Sequence, residues 1–384
     1  MAEQRDVFIV CNNLDELGGL NAWAHFVGAR LAERGHRVRL VGITKADRRR
    51  RQDYGRDFPY EVTVLQEETP GRPWVPDHAL AWADLPARKR EQRRQRSFDQ
   101  AVAKLSELFG AARPGGIVIV AQVWAMEWVV QADTAGLRTV GMSHESYDAT
   151  RTSSRFRRVK RYYADVDRML SLTRQDADDW ARAGMGNADF MPNPLSVSPH
   201  TYAPLVEPVV VRLGRLAYEK GQDMLLDVWS QVIPGHPDWT LRLYGAGPED
   251  DRLRAQAAGL GVAGSVDFAG STADLANALV PSSVFALTSR EEGFPMSIME
   301  AMAYGVPCVA FDCAPGIREL ITDGVDGFVV PAGNTVEFAA ALDRLMTDGE
   351  LRRKFGLCAR ETVQRFSPDV VLDQWEQLFD RLYR

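Results

Sequence analysis

The sequence predicts an α/β protein of two domains, each built on a parallel sheet. Three observations carry this reading. At 384 residues the chain exceeds one ordinary domain, for which about 100–200 residues is usual. Short runs rich in β-branched and aromatic residues alternate with segments of helical spacing throughout, the mark of βαβ units. The alternation breaks once, at Met191-Pro-Asn-Pro-Leu195, where prolines at 192 and 194 suit neither a helix nor a sheet interior.

Val7–Cys11 reads as the first strand. After a loop at Leu14–Gly19, the residues Leu20, Trp23, Val27 and Leu31 recur at i, i+3, i+7 and i+11, on one face of a helix. Gly35 follows as its C-cap, then Val38–Ile43 as a strand. Further strands are expected at Val62–Leu65, Gly116–Val120, Thr139–Ser143 and Arg168–Leu172. Beyond the prolines a second series runs through Val209–Leu213, Thr240–Tyr244, Val266–Ala269, Val284–Thr288, Val306–Phe311 and Gly327–Val330. The junction falls at residues 193–205, giving an N-terminal domain over 1–195 and a C-terminal domain over 196–367. Val371, Trp375, Leu378 and Leu382 keep helical spacing, so 368–384 is expected to be an amphipathic helix that completes the first domain. No fixed-period repeat or low-complexity tract interrupts the series.

The composition, 45% apolar and 26% charged, is that of a soluble globular protein. No apolar run approaches the roughly 20 residues that span a bilayer. The start lacks the apolar stretch of a secretory signal, so a cytoplasmic location is expected, with the inner membrane face as its peripheral variant. Cys11, Cys308, Cys313 and Cys358 show neither zinc spacing nor a C-x-x-C and read as small buried apolar residues. The net charge of −6 conceals an asymmetry. Residues 1–195 hold 30 Lys+Arg against 26 Asp+Glu, and residues 196–384 hold 16 against 26. That split suggests that the first half handles the more anionic ligand. Two basic runs, Ala87–Arg96 and Arg151–Arg161, read either as solvated helix faces or as a surface that meets phosphate-rich lipid or polymer. No nucleic-acid partner is expected.

Chemistry concentrates in the second half. Ser289-Arg-Glu-Glu-Gly-Phe-Pro-Met-Ser-Ile-Met-Glu300 follows a strand and opens a helix, so the turn lies at the C-terminal end of a parallel strand, where open α/β sheets bind ligands. Gly293 admits close backbone approach, and a helix N-terminus favours anions and hydroxyl oxygens. Glu292 and Glu300 can each accept vicinal hydroxyls of a sugar or ribose; the plainer reading is a capping carboxylate and a solvent-facing one. In Leu213-Gly-Arg-Leu-Ala-Tyr-Glu-Lys-Gly-Gln222, Gly214 ends a strand, and Arg215 and Lys220 flank a loop before a helix. Two cations beside a helix N-terminus suit a diphosphate; alone they would pass for surface cations. The glycines of Tyr244-Gly-Ala-Gly-Pro248 are weak evidence, since tight turns need glycine for steric reasons. In the first half, Leu17-Gly-Gly-Leu20 leads into a helix, and His144 lies just past a strand. A lone histidine is more often structural. The sequence has no Walker loop, no G-x-S-x-G elbow, no H-E-x-x-H, and no Asp-x-Asp in the setting of a metal-bound diphosphate.

Taken in order, these motifs resemble family 4 glycosyltransferases of the GT-B architecture. The resemblance runs from Gly18-Gly19 through Ser171–Asp176, Pro192-Asn-Pro194, Gly214-Arg-Leu with Lys220-Gly221, Gly245–Pro248 and Val266–Gly270. It ends with the E-x(7)-E pair at 292 and 300 and with Gly324 and Gly327. It implies two Rossmann-like domains facing across a cleft, the first binding a hydroxyl acceptor and the second a nucleotide sugar, a UDP-sugar ahead of a GDP-sugar. It implies transfer with retention of configuration and no cofactor or metal. Arg215 and Lys220 would hold the diphosphate beside Gly214 and Gly245, and Glu300 the ribose. Glu292 and the backbone of Gly293, Phe294, Pro295 and Met296 would hold the donor sugar, and Gly19 would approach the phosphate. His144 matches a histidine that contacts the transferred sugar. The basic runs fit an anionic acceptor, such as a cell-envelope glycan, a polyol-phosphate or a phospholipid-linked substrate; a small-molecule glycoside is the other acceptor class. A sugar-nucleotide epimerase on the same architecture and a catalytically inactive nucleotide-sugar-binding protein are the alternatives. The first lacks acid/base groups around the sugar in this motif set, and the second would be expected to have lost part of it.

Overall fold

The computed structural model describes residues 3–16, 18–48, 51–53, 57–70 and 84–384. Leu17 of the glycine turn lies outside them, as do Met1 and Ala2. The chain forms two compact units: Met1–His144 with Thr150–Met191 and Leu372–Arg384, and Glu145–Ala149 with Pro192–Val371.

The first unit carries β1 (Asp6–Cys11), α1 (Gly19–Glu33), β2 (Arg37–Thr44), β3 (Glu61–Gln66), α2 (Leu85–Gly110), β4 (Ile117–Val120) and α3 (Val123–Val129). It continues with β5 (Arg138–Met142), the last two residues of α4 (Tyr147–Arg151), whose first three belong to the second unit, then α5 (Arg155–Tyr162), β6 (Arg168–Ser171), α6 (Arg174–Arg182) and β7 (Ala188–Phe190). Among the described residues its seven strands are ordered β3-β2-β1-β4-β5-β6-β7 and run parallel. Every residue of β1 and β4 is buried, as expected where helices cover both faces of a parallel sheet. Trp23, Val27 and Leu31 form the predicted buried stripe of α1, and Gly35 follows with a left-handed φ of 95°. β7 escapes sequence reading because Ala188-Asp-Phe190 is too short to show a period. The basic run at 87–96 lies at the front of the 26-residue α2 with Arg88, Lys89, Arg90, Arg93 and Arg96 exposed, and the helix buries Ala87, Ala101, Leu105 and Phe109. Near the chain's end, the Tyr383 hydroxyl donates to the Gly116 carbonyl at 2.6 Å, and Arg5 donates to Asp380 at 3.1 Å.

The second unit carries β8 (Val209–Leu213), α7 (Gln222–Val232), β9 (Thr240–Tyr244), α8 (Asp250–Gly259), β10 (Val266–Gly270), α9 (Leu275–Leu279), β11 (Val284–Leu287) and α10 (Met296–Ala303). Then come β12 (Cys308–Asp312), α11 (Pro315–Leu320), β13 (Gly327–Pro331), α12 (Thr335–Thr347), α13 (Gly349–Val363) and α14 (Pro368–Leu382), the last of which continues into the first unit from Leu372. Its six described strands are parallel in the order β10-β9-β8-β11-β12-β13. Pro307 has no N–H, and the ladder of β12 begins after it at Cys308 rather than at Val306. Leu225, Leu226 and Trp229 of α7 pack with Phe311 and Phe338 in the core. Cys11 and Cys308 are buried as expected, whereas Cys313, just past β12, and Cys358, on α13, are half-buried. No described helix is long and apolar enough to cross a membrane.

Both sheets reverse their strand order once, between β1 and β4 in the first unit and between β8 and β11 in the second. An open α/β sheet parts its crossover helices at such a point and binds ligands at the carboxyl ends of the flanking strands.

Candidate functional site

In the second unit the loops after β8 and β11 meet at the reversal. The Thr288 hydroxyl donates to the Gly221 carbonyl at 2.8 Å. Gly221 takes a left-handed φ of 65°, and a Cβ there would come within 1.9 Å of the Thr288 carbonyl oxygen. Gly245, with φ 149°, is packed as tightly: its Cβ would come within 2.0 Å of the Gly214 carbonyl oxygen. These glycines let the loops after β8, β9 and β11 pack backbone on backbone, so Gly245 meets a steric need. Arg290 binds Asp223 through two hydrogen bonds of 2.8 and 2.7 Å and lies 4.1 Å from the Tyr218 ring centroid, tying the turn to the start of α7.

On this base sits a chain of charged and polar groups. Lys220 Nζ donates to Glu292 Oε1 at 2.8 Å, and the Ser289 hydroxyl donates to the same oxygen at 2.7 Å. Ser289 in turn accepts from Nη2 of Arg212 at 3.0 Å. Arg212 lies inside the sheet with 1% of its surface exposed. Burial holds its pKa below the usual guanidinium range, and the charge of Glu292 opposes that shift. Neither Arg212 nor Ser289 figured among the candidates read from the sequence. The available signal was a charged residue inside Val209-Val-Val-Arg-Leu213, a run of the kind that a parallel sheet buries on both faces.

The expected pairs come apart. Lys220 belongs to the Glu292 network and its side chain is 26% exposed, whereas Arg215 is 60% exposed and paired with Glu219. Glu300, on the second turn of α10, has no hydrogen-bond or ion-pair partner among the described residues. Burial pushes its pKa up to about 7. Gly293 packs against α11, where a Cβ on Gly316 would come within 2.3 Å of its carbonyl oxygen. Phe294 and Pro295 are buried, Phe294 edge-on to Phe366 at 5.2 Å. Pro295 is the N-cap of α10, so Met296 presents the first free N–H of that helix.

The reversal in the first unit is held by two amides. Gln122 Oε1 accepts from the Asn12 backbone N–H at 2.9 Å, and Asn12 Oδ1 accepts from the Ala125 N–H at 3.0 Å. The oxygen end of each amide is thereby fixed, and both NH2 groups are left without a partner among the described residues. Sequence reasoning missed these two, since nothing distinguishes an Asn or Gln after a strand until the strand's neighbours are known. Past the end of β5, the His144 ring stands edge-on to Trp23 at 4.7 Å, and its Nε2 is buried with no hydrogen-bond partner among the described residues. Burial pushes its pKa down to about 4, so the ring is uncharged at neutral pH. Gly18 and Gly19 are exposed at the start of α1, and a Cβ on either would meet nothing within 4 Å.

Residues 202–362, all within the second unit, match the family model described as "Glycosyl transferases group 1". An uncharacterized glycosyltransferase of Haemophilus influenzae is 30% identical over 237 residues, which cover 60% of this chain and 67% of that protein. The chain belongs to the group 1 glycosyltransferases. An exopolysaccharide phosphotransferase of Streptomyces coelicolor is 34% identical over 222 residues, covering 56% of this glycosyltransferase and only 24% of the relative. Among solved structures, a mutant of S. aureus TarM in complex with fondaparinux, alpha-GlcNAc-glycerol and UDP superposes with a TM-score of 0.78 at 14% identity, covering 98% of this chain and 100% of that one. At that identity the likeness shows the fold alone: two Rossmann-like parallel-sheet domains, the GT-B architecture.

Proposed function

We propose that this glycosyltransferase, which we place in family 4, moves a sugar from a nucleotide-diphosphate donor to a hydroxyl acceptor with retention of configuration. A UDP-sugar is the favoured donor, ahead of a GDP-sugar; the TarM structure that shares the fold was solved with UDP. The observation that carries the reading is the Lys220–Glu292–Ser289–Arg212 chain at the strand reversal of the second unit. There Lys220, with Arg215 swung from Glu219, faces the diphosphate beside Gly214. Glu292 and the backbone of Gly293 through Met296 hold the donor sugar, and Glu300 accepts from the ribose hydroxyls. As the bond from the anomeric carbon to the diphosphate breaks, negative charge grows on the leaving oxygen, and cations already in place stabilise it. The acceptor oxygen attacks from the same face and gives its proton to that departing oxygen. With this charge supplied by side chains and N–H groups, we propose that no metal or cofactor takes part.

The first unit takes the acceptor. The unspent amide donors of Asn12 and Gln122 suit its oxygens, the neutral His144 ring suits a sugar hydroxyl, and Gly19 leaves its backbone open to a phosphate. Exposed Arg88, Lys89, Arg90, Arg93 and Arg96 on α2, with Arg157, Lys160 and Arg161 on α5, favour an anionic acceptor presented at the cytoplasmic membrane face. An envelope polysaccharide or polyol-phosphate fits; a relative named for exopolysaccharide supports that class.

A panel of nucleotide sugars incubated with polyol-phosphate and glycan acceptors in EDTA, read by mass spectrometry, tests the whole. Diphosphate release with an α-linked product from an α-linked donor is expected. A free altered nucleotide sugar would point to an epimerase, and binding without turnover to an inactive binder. Turnover that requires a divalent ion would end the metal-free reading. For the basic faces, tighter sedimentation with anionic than with neutral liposomes is expected, lost at high salt.

A further inference from the structure

Arg212 is placed where an arginine is costly. Charged side chains are almost never fully buried unless paired, yet no carboxylate among the described residues touches this one. Its partners are the Leu213 carbonyl and the Ser289 hydroxyl, and its Nε–H is buried with no hydrogen-bond partner among the described residues. A guanidinium held this way weakens a fold more readily than it supports one. It lies directly under the turn at Gly214, where an added Cβ would come within 3.4 Å of Nη1. The hydrogen bonds it begins have only one possible direction. Arginine can donate but not accept, so Ser289 accepts from Arg212 and gives its single proton to Glu292. Glu292 Oε1 is thereby filled by Ser289 and Lys220, and Oε2 has no hydrogen-bond partner among the described residues and is left for a ligand.

We infer that Arg212 is a positioning residue of the donor site: through Ser289 it locks the Glu292 carboxylate against Lys220, and its buried charge raises the positive potential under the Gly214 turn for a diphosphate. This rests on the nucleotide-diphosphate reading above. A buried cation in a site that excludes water is screened far less than a surface one, so its effect is on the phosphates and not on the nucleoside. The competing account is a plain structural staple between β8 and the turn after β11. The two differ in the sign of one measurable quantity.

The experiment compares the parent with Arg212→Met, Arg212→Lys and Ser289→Ala, using calorimetric titration with UDP, GDP and uridine together with thermal melting. In Arg212→Met, UDP affinity is expected to fall by about tenfold or more, uridine affinity to stay level, and the melting temperature to hold or rise. Arg212→Lys restores charge without the fork, so UDP affinity should recover in part. Ser289→Ala leaves the charge and cuts the relay, so turnover should fall more than UDP affinity. A lower melting temperature with unchanged UDP affinity in Arg212→Met makes the residue a staple and overturns the inference. If Arg212→Met does not fold, Ser289→Ala and Arg212→Lys decide: parental turnover and affinity in both overturn it as well. A parent that binds neither UDP nor GDP brings down the donor reading itself, whereas a parent that binds while all three variants match it brings down only the role of Arg212.

Discussion

The two units solve the same topological problem with opposite electrostatics. Each is an open parallel sheet with one strand reversal, β1/β4 in the first and β8/β11 in the second. At the first reversal stand two amides and an uncharged histidine; at the second, a lysine, a glutamate and a buried arginine joined through a serine. The charge totals run the other way. The half with the neutral reversal carries 30 basic against 26 acidic residues, and the half with the cationic one carries 16 against 26. The excess of positive charge in the first half lies partly on exposed faces of α2 and α5. Net charge therefore describes solvated faces, and the potential at a ligand site is set by the few charges that burial leaves unscreened.

Breaking the turn geometry should have the largest effect. Gly245→Ala places a Cβ within 2.0 Å of the Gly214 carbonyl oxygen at a φ of 149°. A loss of about 3 kcal/mol or more in stability is expected, read by chemical denaturation. A melting curve like that of the parent would show that the loops can separate, and that the steric reading is wrong. Next comes charge. Lys220→Ala should lower turnover by about 10²-fold or more with little change in folding, measured by steady-state kinetics. A drop of that size for Asn12→Ala, and none for Lys220→Ala, would invert the comparison between the units.

Two of the titratable groups that burial shifts, Glu300 and His144, predict opposite pH responses. Glu300 titrates near 4.5 in an unfolded chain and near 7 in the folded one. Between those values the folded protein keeps a proton that the unfolded chain has released, so stability falls as pH rises from 4.5 to 7. His144 moves the other way, from 6.5 to about 4. Between those values the unfolded chain binds a proton that the folded ring refuses, so stability falls as pH drops from 6.5 to 4. Each effect is at most about 3 kcal/mol. The two windows overlap with opposite slopes, so in melting curves between pH 4.5 and 6.5 the stability of Glu300→Gln should rise with pH more steeply than that of the parent, and that of His144→Gln should fall with pH; matching slopes in parent and variant would remove the burial argument for that residue. Donor affinity should also rise through pH 7 as Glu300 ionises to meet ribose hydroxyls.

The smallest change is expected at Gly19. A Cβ there meets nothing within 4 Å, so Gly19→Ala at the start of α1 should shift stability by no more than about 1 kcal/mol. If turnover nevertheless falls severalfold, the glycine serves a ligand; if neither changes, the first-unit glycines differ in kind from those of the second.

What the chain's linear pattern determined was the set of elements and their period. Apolar runs such as Val209–Leu213 and Val284–Leu287 declare strands because a strand buried on both faces needs little else. The glycine and proline breaks declare loops because few residues accept those backbone angles. From these the strand-end turns that carry Lys220, Glu292 and Glu300 could be placed before any contact was known. The partners came only from tertiary structure. Lys220 and Glu292 lie 72 residues apart and Arg212 and Ser289 lie 77 apart. They meet because β8 and β11 are neighbours, a sheet order that local periodicity does not encode. Tertiary burial likewise raised the pKa of Glu300, and the adjacency of β1 and β4 fixed the oxygen ends of Asn12 and Gln122. A hydrogen bond depends on distances of a few tenths of an ångström between groups far apart in sequence, whereas a strand depends on its own residues and their alternation with helices.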